Sequence, residues 1–159
     1  MIRKAAETDI PALGRIFCEG WQGGYRGILP QDYLDALTPE GCAPRKTPAN
    51  LWIYEKDGEA VGLIGVGAAR MAEYAGMGEL RAIYVLPGCW RHGIGRALFK
   101  AGCERLREMG FGEFYLWVLR GNARARAFYE RMGMCPSGEE KADRIGGAEA
   151  VEVRYVGTL

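Results

Sequence analysis

Apolar and polar positions along the chain recur with two periods, and the switches between them mark out the elements. Residues 2–6 carry a short strand-like pattern. Thr8 or Asp9 then stands where a helix cap belongs. It precedes a segment over 10–19 in which Leu13, Ile16 and Phe17 form an apolar stripe and Pro11 sits in the tolerant first turn. Residues 21–30 (Trp-Gln-Gly-Gly-Tyr-Arg-Gly-Ile-Leu-Pro) predict an aromatic, glycine-rich loop, followed by a short helix over 31–37. The stretch 38–49 contains three prolines and predicts a surface loop.

Residues 51–55 and 60–68 predict two strands joined by a turn over 56–59, and residues 78–85 predict another strand ended by Pro87-Gly88. The longest helix is expected over 94–109, with Ile94, Ala97, Leu98, Ala101 and Leu106 at helical spacing and Gly110 as the stop. A strand over 113–119 comes next, then a helix capped by Asn122, running through Met132 and ended by Gly133. Residues 151–156 alternate as a last strand, and a further strand has room near Met134. The order β-α-α-β-β-β-α-β-α-β predicts an α+β (mixed α/β) fold: one sheet with helices on both faces.

With 159 residues, 48% hydrophobic and 26% charged, the chain suits a single domain over 1–159. A net charge of +1 supplies no global basic field, so no nucleic-acid partner is expected. The apolar runs are too short to span a bilayer, and Met1-Ile2-Arg3-Lys4 leads straight into a polar helix start. The expected setting is therefore cytoplasmic, with no membrane partner. Five cysteines, at 18, 42, 89, 103 and 135, show no CxxC pairing and read as free thiols, and no metal is expected.

The chemistry concentrates at Arg91-His92-Gly93-Ile94-Gly95-Arg96, a glycine-bearing turn between a strand and a long helix. Such a turn aims unpaired N–H groups and the positive end of a helix dipole outward, which suits a phosphate. Three ligands compete for it. A P-loop needs a Lys-Ser or Lys-Thr pair where this chain has Arg96-Ala97. A dinucleotide fingerprint needs a small residue where this chain has Leu98. The third reading is an acyl-CoA turn, with Arg91, Arg96, His92 and nearby Arg120, Arg124 and Arg126 as charge compensation.

The segment from about Gly78 to Met134 resembles the GCN5-related N-acetyltransferases. One matching part is Glu79-Leu80-Arg81-Ala82-Ile83-Tyr84-Val85, Pro87 and Gly93-Ile94-Gly95-Arg96-Ala97-Leu98. The other runs from Asn122 to Met134 and contains Phe128-Tyr129 and Gly133. In one departure, Trp90 stands where the family usually places Gln or Arg.

The resemblance implies a mostly antiparallel sheet that splays between the strands over 78–85 and 113–119. It implies acetyl-CoA as co-substrate, its pantetheine arm pairing with backbone near Ile83 and Val85, beside a strand bulge near Tyr84. The turn formed by Arg91, His92, Gly93, Ile94, Gly95 and Arg96 would hold the pyrophosphate. Asn122 would contact the pantetheine arm, or act only as a helix cap. Glu79 matches the position of a general base, against a plainer reading as a strand or loop-ordering residue. Tyr129 matches a tyrosine acid that protonates the departing thiolate, against core packing. The Ile83 N–H would face the oxyanion.

The resemblance also implies that the acceptor is met by the first two helices, their loop and the region before the last strand. Trp21, Tyr25 and Tyr33 are the candidate acceptor contacts, or else a roof over the core. The implied activity is acetyl transfer to a primary amine of a small molecule or peptide. The alternative is a non-catalytic acyl-CoA binding or sensing module on the same fold. A homodimer is the expectation by analogy.

Overall fold

The computed structural model describes residues 1–159. Its strands are Ile2–Lys4 (β1), Leu51–Lys56 (β2), Glu59–Ala68 (β3), Gly78–Val85 (β4), Glu113–Leu119 (β5), Cys135–Ile145 (β6) and Ala148–Thr158 (β7). Its α-helices are Ile10–Gly24 (α1), Gln31–Asp35 (α2), Pro39–Cys42 (α3), Ile94–Glu108 (α4) and Ala123–Arg131 (α5). All seven strands join one sheet in the order β1-β2-β3-β4-β5-β7-β6. Every neighbouring pair is antiparallel except β4 and β5.

Burial explains the order. Central β3 is covered on both faces and reads as a nearly continuous apolar run, Val61 to Gly67 being buried. Helix α4 turns Ile94, Leu98, Phe99, Gly102 and Leu106 toward the sheet, with Gly102 lying against Ile64 and Val66. Helix α1 covers the opposite face with Leu13 and Ile16. Asp9 stands at its N-cap, but the carboxylate turns back to Arg3 and to the Ala6 amide (2.8 Å) instead of capping the helix.

Two expectations need correcting, and a third is borne out and extended. Helix α1 does not stop at Glu19; it continues through Trp21 and Gln22 to Gly24. Its glycines mark close approaches, not a loop. A Cβ on Gly20 would sit 3.2 Å from Tyr84, and one on Gly23 would sit 2.7 Å from Pro87. The 38–49 loop contains the short helix α3, capped by Thr38, whose Oγ1 accepts from the Gly41 amide at 3.0 Å. The strand near Met134 is β6, eleven residues long, paired with β7 around a turn at Gly146 and Gly147. Its sequence, Cys-Pro-Ser-Gly-Glu-Glu-Lys-Ala-Asp-Arg-Ile, is polar because it is an exposed edge, so no apolar alternation announced it.

The feature that positions the site is the limited pairing of β4 with β5. Only Gly78 with Phe114 and Glu79 with Tyr115 are in register. Beyond them β5 stays zipped to β7 as far as Leu119, and β4 stays with β3 as far as Val85, so the two strands diverge. A bulge on β4 sits at Arg81, between the pairs Gly65–Ala82 and Val66–Leu80. That is three residues before the Tyr84 position expected from the resemblance.

Helix α1 meets the start of α3 at Gly14, where a Cβ would collide with the Pro39 carbonyl and lie 2.8 Å from the Ala43 Cβ. Gly14→Ala gains up to about 1 kcal/mol of helix propensity, but the collision is with backbone that cannot swing aside. The expected net result is a loss of about 1–2 kcal/mol, measured as a lower urea midpoint at unchanged m value.

Candidate active site

Strand β4 ends at Val85 and α4 begins at Ile94, and the turn between them is shaped by two left-handed residues, Arg91 (φ 65°) and Gly93 (φ 79°). No amide from residue 91 to residue 96 donates to another group of the protein; the first bonded amide is that of Ala97, to the Gly93 carbonyl. Six consecutive N–H groups therefore stand free at the N-terminus of a fifteen-residue helix. Arg91, His92 and Arg96 are exposed around them, and the Ile94 side chain is buried beneath.

The gap begins beside this turn. Leu86 donates to the Val61 carbonyl, so in the alternating antiparallel ladder Tyr84 and Ala82 bond to β3 while Ile83 and Val85 direct their backbone groups away from it, toward β5. The Val85 carbonyl already accepts the Trp90 indole N–H at 2.8 Å. The Ile83 groups and the Val85 amide are left for a guest. Trp90 thus has a structural task at the position where Gln or Arg is usual, and its ring carries the Arg124 guanidinium at 3.7 Å. Arg124 therefore takes a place beside the turn. Arg126 and Arg120, expected to help there, are engaged elsewhere: Arg126 with Tyr155, and Arg120 with Glu140.

Helix α5 supplies the inner wall. Asn122, 6% exposed, caps it through Oδ1 to the Ala125 amide at 3.2 Å and also lines the cleft, so both expected roles are open to it. Tyr129 lines the same cleft. Burial pushes its hydroxyl well above the ordinary tyrosine range, the neighbouring Tyr84 adds to this, and Arg124 opposes it. Tyr129 is therefore protonated at neutral pH and able to donate.

The opposite wall is aromatic. Tyr84 accepts from the Trp21 indole at 3.1 Å and shares a 3.3 Å hydrogen bond with Tyr25. Of the three candidate acceptor contacts, only Tyr25 lines the cleft. Trp21 stands behind Tyr84. Tyr33 packs with Leu29, Leu34, Leu119 and Ala150 in a small second core, against Gly146 of the β6–β7 turn. Tyr84 itself lines the cleft, and its hydroxyl is held by Trp21 and Tyr25.

Glu79 is 3% exposed, and it lies where β4 and β5 are still paired. Its carboxylate accepts from the Arg70 amide (3.0 Å), Arg70 Nη2 (2.6 Å) and Tyr115 Oη (3.1 Å). Burial alone would raise its pKa, but the Arg70 and Tyr115 hydrogen bonds outweigh it and hold the carboxyl below the usual range. It does not line the cleft. The carboxylate that does is Glu152 on β7, opposite Leu119. Sequence reading missed both Glu152 and Arg70. Glu152 was a polar position in an alternating strand, and nothing local said that its face is shared with Tyr84.

Residues 12–134 match the family described as acetyltransferase (GNAT), and the chain belongs to that family. Among its relatives is the uncharacterized N-acetyltransferase YuaI of Bacillus subtilis, 30% identical over 125 residues, which span 76% of this chain and 72% of that protein. Another is the peptidyl-lysine N-acetyltransferase YiaC of Escherichia coli, 28% identical over 133 residues, covering 84% and 82%. The fold is shared with the crystal structure of PaiA N-acetyltransferase from Thermoplasma acidophilum in complex with coenzyme A, at TM-score 0.72 and 19% identity, covering 100% of this chain and 98% of that one.

Because the folded-state pKa of Glu79 is depressed, its ion pair contributes stability fully above the ordinary value of 4.5, and loses it as pH falls through the lower folded value. Glu79→Gln is expected to cost about 1–2 kcal/mol at pH 7, a figure kept small because Arg70 is well exposed. The gap between wild-type and variant urea midpoints should narrow below pH 4.5.

Proposed function

We propose that this protein is an acetyl-CoA-dependent N-acetyltransferase that acetylates a primary amine by direct attack within a ternary complex. The observation that carries this reading is continuity: six free amides at the 91–96 turn adjoin the β4–β5 gap, and the gap leads to Tyr129. The pyrophosphate of acetyl-CoA matches the turn in charge and in hydrogen-bonding need. Arg91, Arg96 and Arg124 surround it with cations, Arg124 being oriented by its stack on Trp90. The pantetheine amides match the unpaired groups of Ile83 and Val85, in the manner of an added strand.

The thioester then lies near Tyr129. The neutral amine attacks the carbonyl carbon, a C–N bond forms, and negative charge gathers on the oxygen, where the Ile83 N–H is the available donor. The nitrogen, cationic once the C–N bond has formed, releases its surplus proton to solvent; the C–S bond breaks as the carbonyl re-forms, and the departing thiolate takes the Tyr129 proton, which solvent later restores. The amine enters from the Tyr25–Tyr84 side. Since an alkylammonium holds its proton up to about pH 10, that proton must be removed before attack.

Tyr129→Phe should lower kcat about 100-fold while the dissociation constant for coenzyme A stays within about twofold. Thiol release from acetyl-CoA against primary amines, with calorimetry for binding, measures both. Coenzyme A bound without turnover on any amine would leave an acyl-CoA sensing module as the function. A Cβ on Gly95 would meet only Phe128, at an ordinary 3.7 Å. Gly95→Val is therefore expected to spare the fold and weaken coenzyme A binding about tenfold or more by crowding the phosphate. Unchanged affinity would place the phosphate elsewhere. Gly93→Val adds the strain of a left-handed residue, so it should lose stability as well.

A further inference from the structure

We propose that Glu152, and not Glu79, is the carboxylate that receives the acceptor's ammonium group and takes its proton before attack. The inference rests on the acetyltransferase reading above and assigns the acceptor subsite within it.

Glu152 is the only carboxylate lining the cleft, which it shares with Tyr25, Tyr84, Arg124 and Tyr129. Strand β7 places it there: it pairs with Leu119 at the far end of β5, where β5 has parted from β4. Residues in register on neighbouring strands share a face, so Glu152 and Leu119 lie on the side covered by α1 and α2. Burial above all keeps the Tyr84 and Tyr25 hydroxyls protonated, and the negative charge of Glu152 adds a smaller push in the same direction. Tyr84 in turn acts on Tyr129. The carboxylate, the tyrosine pair and Tyr129 thus line one cleft.

The groups facing Glu152 come from every wall. Lys141 of β6 lies at 3.4 Å, Tyr25 comes from the C-cap of α1, Tyr84 from β4, and Arg124 and Tyr129 from α5. Lys141 is shared, since its ammonium also lies 4.7 Å from the Trp117 ring centroid. It is the more exposed partner, 39% against 21% for the Glu152 side chain. Glu152 therefore keeps acceptor capacity on a partly desolvated carboxylate, next to aromatic rings that suit the carbon skeleton of an amine. Glu79 keeps none: its oxygens are occupied by Arg70 and Tyr115 outside the cleft.

The step balances. The ammonium N–H bond breaks, its proton joins a Glu152 carboxylate oxygen, and the freed lone pair forms the C–N bond. The carboxylic acid then returns the proton to solvent.

The test uses the coenzyme A complex and benzylamine as probe, with benzyl alcohol as its uncharged counterpart, titrated by calorimetry at pH 7. The expected result is binding of benzylammonium about tenfold or more tighter than the alcohol. Glu152→Gln should abolish that preference with coenzyme A affinity unchanged, which also reports an intact fold, and Glu152→Asp should retain part of it. The assignment falls if wild type shows no preference for the ammonium. It falls equally if Glu152→Gln keeps the preference, or if Glu79→Gln is the variant that loses it. With acetyl-CoA and benzylamine, Glu152→Gln should lower kcat/KM about 30-fold at pH 7, and the deficit should shrink toward pH 10 as free amine becomes abundant. Full turnover in Glu152→Gln overturns the assignment and leaves the acetyltransferase reading standing. Absent turnover with the ammonium preference intact removes the catalytic reading and keeps Glu152 as the binding carboxylate.

Discussion

The parting of two neighbouring strands is the constraint on which the site depends. Backbone N–H and C=O groups inside a protein need partners, and a sheet normally supplies them along its whole width. Here β4 and β5 pair at only two positions before diverging. The closed end is pinned by Glu79, which ties β4 to Arg70 and to Tyr115 of β5. Beyond the pin, the unpaired groups of Ile83 and Val85 face a cleft walled by α5 on one side and by the tyrosine pair on the other. Glu79, read from the sequence either as a proton acceptor or as a residue that orders a strand or loop, acts in the structure as a clasp at the point where the opening starts.

Helix α1 decides what the opening meets. Gly20 and Gly23 let it run close over Tyr84 and Pro87, and Gly24 passes 3.4 Å (at Cβ) from the Arg124 guanidinium. Larger residues at these places would lift the helix end and carry Tyr25 away from Tyr84. The stack of Arg124 on Trp90 joins α5 to the turn before α4, so three segments distant in sequence converge around one mouth.

The central third of the chain was legible because its signals are local. The strand over 78–85, the glycine turn, the long helix and the Asn122-capped helix carry period and punctuation that stand where the structure has them. Belonging to the acetyltransferase family was likewise readable in those motifs. What escaped was set by tertiary approach. The glycines of α1 look like loop residues until Tyr84 and Pro87 are seen against them. Strand β6 carries almost no apolar signal because it lies on the rim. Tyr33 and Trp21 looked like acceptor contacts, yet Tyr33 roofs a minor core and Trp21 holds the Tyr84 hydroxyl. Glu152 was invisible because facing is a property of the whole sheet: the alternation of β7 shows which residues share a side, but not what that side overlooks.

The two rims of the sheet differ in kind from its interior. One rim is β1, only three residues long; the other is β6, which bears Glu139, Glu140, Lys141, Asp143 and Arg144. Short or heavily charged borders discourage a foreign strand from annealing. The sheet is therefore guarded where sheets are ordinarily sticky and receptive in its middle, so that an extended guest finds a berth between strands and little purchase along the flanks.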